Sequence, residues 1–174
     1  MVVDSDADGF TSSALLLNYL NRLFPKWTQK NITYVLHEGK QHGLNDQNLE
    51  DITKSYYKLV ICADSSSNDY EAHKYLHENG IDILILDHHE AEKVSENACV
   101  INNQLSNYPN KTLSGVGVVY KFCCYIDSLL KKNIANDFLD LVAIGMIADM
   151  MDLRDLETKA LITEGLRRIQ NPHI

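Results

Sequence analysis

Short β-branched runs alternate with longer segments of helical period along this chain, and that alternation limits the fold more than any other feature. Residues 2–3, 32–36, 59–63 and 81–86 read as four strands, with 99–101 a short fifth. Between them, residues 11–23 place Leu15, Leu16, Tyr19, Leu20 and Leu23 at helical spacing. Residues 45–57 read as a helix capped by Asn45 or Asp46, and 69–79 as one stopped by Gly80. The rest of the pattern is helical: residues 117–130, 136–148 and 155–169, the middle one nearly apolar all round and expected to be buried. The expectation is an α/β fold, a five-stranded parallel sheet with helices on both faces, followed by a helical segment.

The 174 residues fit one domain of ordinary size, and 45% apolar with 23% charged residues excludes a chain that is disordered throughout. A formal charge of −8 argues against binding nucleic acid by surface electrostatics alone, because phosphates are neutralised by Lys and Arg. It leaves nucleic acid open as a substrate, since bound divalent cations reverse the sign locally. No secretory signal opens the sequence, and the longest apolar stretches, such as residues 141–148, fall far short of the roughly 20 needed to span a bilayer. Cys62, Cys99, Cys123 and Cys124 show no CxxC spacing, so neither a disulfide framework nor a thiolate zinc site is expected. The expectation is a reduced, cytoplasmic protein without a membrane partner. Residues 171–174 end the sequence as though more chain were to follow, which suggests a domain of something longer.

Polar clusters fall where the apolar runs end. The first run ends in Asp4-Ser5-Asp6-Ala7-Asp8-Gly9, the third in Asp64 and the fourth in Asp87-His88-His89, while Asp149 follows the apolar residues 143–148. Ligands of open parallel sheets bind outside the carboxyl ends of the strands, so these groups converge on one rim. Any single Asp-rich turn is ordinarily a solvated loop or a helix cap; the ordered set of four is what points to a site. A calcium loop is excluded, because no Glu occupies the twelfth position. Without cations, each like-charge pair at ~4 Å would repel by about 4 kcal/mol at an effective dielectric of ~20. Two divalent ions would balance Asp6, Asp8, Asp64 and Asp149, and oxygen ligands with one or two imidazoles suit Mn²⁺, or Mg²⁺, better than structural zinc. A pair of such ions fits phosphoester hydrolysis.

Five segments together resemble the DHH phosphoesterase superfamily, in its RecJ-type branch of single-strand-specific exonucleases: VVDSDADGFTSSALL from Val2, Asp64 in VICADSS, LILDHHEA from Leu84, LSGVGVVYKF from Leu113 and AIGMIADMMDL from Ala143. The resemblance spans nearly the whole chain in the family's order. It implies that Asp6 and Asp64 hold one metal ion with Asp4 in or beside its shell. It also implies that Asp8, Asp64, His88 and Asp149 hold the other, Asp64 bridging. His89 would then face the scissile phosphate, and Asp87 would orient His88. Other branches carry a His where this chain has Val2, whereas Asp4 completes the DxDxDG form typical of RecJ-type members. The substrate implied is single-stranded nucleic acid or an oligonucleotide; a small-substrate phosphoesterase is the alternative, and an inactive scaffold is disfavoured because every ligand is present. Residues 1–174 are expected to be the catalytic domain, the family's second, substrate-holding domain having no counterpart in them.

Further candidates are less constrained by pattern. Ser114, Gly115 and Gly117 open a helix whose backbone N–H groups could receive a phosphate, although small residues there equally suit close helix packing. His42 precedes a Gly-Leu turn that the resemblance places near the substrate, which makes it a candidate phosphate contact, the plainer reading being a solvated loop histidine. His73 and His77 stand four apart on a helix and are expected on the surface. Asn102-Asn103 is expected to set a loop.

Overall fold

The computed structural model describes residues 1–37 and 42–169; the terminal residues 171–174 singled out above lie outside this range. The elements run β1 (Val2–Val3), α1 (Ala7–Leu23), α2 (Pro25–Asn31), β2 (Val35–Leu36), α3 (Asp46–Lys54), β3 (Leu59–Ala63), α4 (Tyr70–Glu78), β4 (Asp82–Asp87), β5 (Cys99–Asn102) and α5 (Gly115–Leu130). A 3₁₀ turn (Ala135–Phe138) then leads into α6 (Leu139–Ala148) and α7 (Leu156–Arg167). All strand pairs are parallel, in the order β2-β1-β3-β4-β5. The α/β architecture expected from the alternation is therefore the one observed.

Side-chain alternation along β3 and β4 builds two cores. Val60, Cys62, Ile83 and Ile85 face α3 and α4, where they pack with Ile52, Ala72 and Leu76. Ala63 and Leu86 face the opposite way, into the larger core formed with Leu15, Leu16 and Tyr19 of α1, Val116 and Val119 of α5, and Val142 and Met146 of α6. Helices thus cover both faces of the sheet, and α7 packs on α6 as an outer layer.

Several boundaries differ from the sequence expectation for local reasons. Helix α1 begins four residues early because the Asp6 carboxylate caps it, accepting from Gly9 N at 2.8 Å. Strand β2 shrinks to two residues because α2 runs up to Asn31, and the Ile32 N–H still donates to Thr28 O. The α2 helix itself was not expected, although Pro25 at its first turn is a recognised start signal. Helix α6 is buried on one side only, with Ile147 47% exposed at its last turn. His73, expected on the surface, is fully buried, because the phase of α4 turns Ala72, His73 and Leu76 inward and leaves His77 exposed.

Candidate metal centre

The strand order reverses at β1, whose two neighbours are β2 and β3, and the crevice of such a sheet opens there at the carboxyl ends. Register lines up the residues that leave the strands. Val3 pairs with Ala63 and Ala63 with Leu86, so Asp4, Asp64 and Asp87 follow on one level, where Asp87 pairs with Asn102. Asp64 continues the ladder, its N–H donating to Leu86 O at 2.7 Å, and then turns sharply: Asp64 and Ser66 have φ of 72° and 79°. Left-handed backbone at non-glycine residues persists where surrounding contacts over-determine it, and such residues gather at working sites.

Asp8, in the first turn of α1, crosses to α5. Its Oδ1 accepts from Ser114 Oγ at 2.9 Å and Val116 N at 3.2 Å, and its Oδ2 from Gly115 N at 2.6 Å. Two glycines permit this crowding. A Cβ on Gly115 would lie 2.5 Å from Asp64 Cβ, and one on Gly145 of α6 would lie 2.5 Å from Asp8 Oδ1. Asp149, which ends α6, completes the rim, with its N–H on Gly145 O.

The ligand atoms fall into three groups, each spanning less than 4.8 Å: Asp4, Asp6 and Asp64; Asp8, His88 and Asp149; and Asp64, His88 and His89. His88 Nε2 sits 3.2 Å from Asp64 Oδ1, 3.5 Å from Asp149 Oδ2 and 4.0 Å from Asp8 Oδ2. Burial, reinforced by the charges of Asp8 and Asp6, pushes the Asp64 carboxyl far above the usual carboxylate range. Burial raises Asp8 as well, against the hydrogen bond from Ser114, and lowers His88. Asp64 Oδ1 and Asp149 Oδ2 are buried and have no hydrogen-bond partner among the described residues. Crowded carboxylates with unspent lone pairs, beside an imidazole whose pKa burial lowers, fit a divalent cation with oxygen and nitrogen ligands.

Asp87 does not orient His88, as the resemblance implied. Its Oδ1 takes only the backbone N–H of His88, at 2.7 Å, and accepts from the ring Nδ1 of His89, also at 2.7 Å. The His88 ring turns instead toward Asp64, Asp149 and Asp8. Although burial opposes ionisation, hydrogen bonds from His89 and Ser67 hold the Asp87 carboxyl down at about 2. The same hydrogen bond raises the His89 pKa. His42 lies at the other end of the rim, its Nδ1 on both oxygens of Asp4 at 2.8 and 3.0 Å and its side chain 59% exposed. Ser114 and Gly117 are buried; the donors at the start of α5 point to Asp8, and a Cβ on Gly117 would meet Leu113. Ser67 and Asn102, which sequence reasoning did not place at the site, hydrogen-bond to it at 2.9 to 3.0 Å.

A family model for the N-terminal domain of the DHH family matches residues 1–146. The chain belongs to the DHH family. Among DHH relatives, a prophage-derived protein of Bacillus subtilis, YorK, named as a candidate single-strand DNA-specific exonuclease, is 49% identical over 171 residues, which cover 98% of this chain and 28% of that protein. The single-stranded-DNA-specific exonuclease RecJ of the same organism is 34% identical over 171 residues, covering 96% of this chain and 21% of RecJ. The chain thus spans about a quarter of the length of these relatives. Among solved structures, exonuclease RecJ bound to manganese superposes with a TM-score of 0.83 at 24% identity, covering 97% of this chain and 42% of that one. RecJ of Thermus thermophilus in complex with Mn²⁺ gives 0.79 at 24%, covering 97% and 24%. These two share the DHH fold described above.

Proposed function

We propose that this DHH chain is the catalytic part of a two-metal phosphodiester hydrolase that acts on single-stranded DNA as an exonuclease. The observation that carries the proposal is the position of Asp64, which clusters with Asp4 and Asp6 on one side and with His88 on the other. Asp4, Asp6 and Asp64 would hold one ion, and Asp8, Asp64, His88 and Asp149 the second, with Mn²⁺ preferred over Mg²⁺ because imidazole joins the oxygens. Such a pair supplies an activated water at neutral pH and charge to stabilise the departing oxygen. The substrate class is supported by the relatives, which are named as exonucleases specific for single-stranded DNA.

The chain's own residues have separable tasks. Asp87 accepts from Nδ1 of His89 and raises its pKa, and in the imidazolium form so favoured Nε2 of this 55% exposed side chain would donate to a phosphate oxygen. His42, held through Nδ1 on Asp4, is the second phosphate contact of this reading. Ser114 and Gly115 position Asp8 rather than the substrate. Holding a long strand falls to a separate domain, residues 1–174 being the catalytic one. No helix of the described residues is long and apolar enough to cross a membrane.

The test is digestion of a single-stranded oligonucleotide of ~20 residues with Mn²⁺, a length that engages enough phosphates to report strand binding as well. Mononucleotide release from the single strand, none from its duplex and none with Asp64→Ala is expected. Cleavage confined to dinucleotides would replace the exonuclease by a small-substrate phosphoesterase, and failure to hydrolyse any phosphodiester would remove the catalytic reading.

A further inference from the structure

The loops that follow β3, β4 and β5 are tied together by a closed ring of hydrogen bonds. Asn102 Nδ2 donates to Ser67 Oγ and to the His89 carbonyl, each at 2.9 Å. Ser67 N donates to Asp87 Oδ2 at 3.0 Å. Asp87 Oδ1 accepts from His89 Nδ1 at 2.7 Å and from His89 N at 3.2 Å, and the His89 carbonyl leads back to Asn102. Asn102, Ser67 and Asp87 are 3%, 2% and 1% exposed.

The amide of Asn102 can sit only one way round. Gln104 N, a donor, lies 2.7 Å from Oδ1, while the His89 carbonyl, an acceptor, lies at Nδ2. Its carbonyl is therefore spent within the turn that leaves β5, and both amide hydrogens point back toward the site. No other side chain among those described hydrogen-bonds the loop after β3 and the His89 carbonyl together.

We propose that Asn102 is a positioning residue for His89. It holds the His89 backbone at the carbonyl while Asp87 holds the ring, so the direction of Nε2 is set from two sides. It also pins Ser67, whose N–H steadies the other oxygen of Asp87. Asn102 hydrogen-bonds to Ser67, the His89 carbonyl and Gln104 N and to no proposed metal ligand's side chain among the described residues, so its contribution is to turnover and not to metal affinity. A misplacement of about 1 Å at a reacting group is enough to cost on the order of 10²-fold in rate. The inference rests on the hydrolytic reading of the site for its kinetic consequence, but the ring itself is present without it.

Asn102→Asp tests this, because it preserves shape and the acceptor for Gln104 N while setting an oxygen against the His89 carbonyl. With Mn²⁺ and a single-stranded oligonucleotide, turnover should fall ~10–100-fold, as for other residues that orient a working side chain. KM and the Mn²⁺ dissociation constant should change by less than about twofold. In a His89→Ala background the same substitution should cost less than about twofold more, because the residue it positions is gone. Full additivity, or a loss of turnover that tracks a loss of Mn²⁺ affinity, would overturn the proposal. A readout independent of activity is the His89 Nδ1–H signal in long-range proton–nitrogen NMR of the metal-free chain, protected in the parent and exchanging freely in Asn102→Asp. An unchanged signal counts against the proposal. If the parent chain hydrolyses nothing, the functional reading fails and this signal alone decides. Should Asn102→Asp not fold, Ser67→Ala cuts the same ring at one bond, and unaltered turnover and an unaltered His89 signal there would equally refute it.

Discussion

Asp87 binds the ring of His89 and only the backbone of His88, so two adjacent histidines are divided between two tasks by one carboxylate. His88, with Nε2 facing Asp64, Asp149 and Asp8, is left for the proposed metal ions. The two should therefore fail differently. His88→Ala should weaken Mn²⁺ binding ~10–100-fold. His89→Ala should keep both ions and lose on the order of 10²–10³ in turnover, the usual cost of removing a donor to a developing charge. Calorimetric Mn²⁺ titration beside a turnover assay separates them, and equal loss of metal in both variants would contradict the division.

Asp64 should be costly to the protein until a cation arrives. It is 1% exposed, its carboxyl is pushed up by burial and by Asp8 and Asp6, and its Oδ1 has no hydrogen-bond partner among the described residues. Metal-free Asp64→Asn should therefore melt higher than the parent by ~2–4 °C, corresponding to about 1 kcal/mol for a chain of this size. Mn²⁺ should raise the melting temperature of the parent and hardly that of the variant, since only the folded carboxylate cluster binds it. A variant that melts lower without metal, or is stabilised by Mn²⁺ as strongly as the parent, would show that Asp64 is not the shared ligand.

Glu157, at the start of α7, gathers the segment between β5 and α5. It accepts from Tyr108 Oη and Lys121 Nζ at 2.8 Å and from Asn110 Nδ2 at 3.2 Å. Burial raises its pKa, but the hydrogen bonds from Lys121, Tyr108 and Asn110 prevail and lower it overall. A depressed carboxyl stabilises the fold above its unfolded pKa and loses that contribution as pH falls through the folded value. Glu157→Gln should cost about 1–2 kcal/mol at neutral pH, and the difference from the parent should shrink as pH drops below ~4.5. Urea melts at pH 7 and pH 4 measure both, and a gap that widens in acid would reverse the assignment.

The net charge of −8 sets an expectation for strand binding. Two divalent ions add four positive charges and leave the chain near −4, with the added charge inside the crevice. Affinity for a ~20-mer should accordingly be weak, with a shallow slope of log K against log salt, because few phosphates meet Lys or Arg. Filter binding across a salt series gives the slope; a steep one would reveal a basic track hidden by the overall charge.

What the sequence carried well was anything decided by neighbours in the chain. The run Leu59–Ala63 was a strand by its β-branched composition, and Gly80 stops α4 with φ of 72°, as a left-handed cap requires. The carboxylates after β1, β3 and β4 could be placed on one rim because strand ends converge in any parallel sheet. What escaped was set by partners remote in sequence. Asp8 occupies the donors of Ser114 and Gly115, 106 and 107 residues away, which no pattern around Ser114 announces. Likewise the choice of Asp87 between two neighbouring rings depends on the backbone turn after β4. Strand β1 matched the run Val2–Val3, whereas β2, two residues long, was too short to delimit by alternation within residues 32–36.

The proposed ligands run from Asp4 to Asp149, and the last of them depends on α6 being seated against α1 and α5. No fragment that stops short of Asp149 can assemble both proposed ion sites. Occupancy of both sites would therefore report that the strand ends, α1 and α6 are in place together.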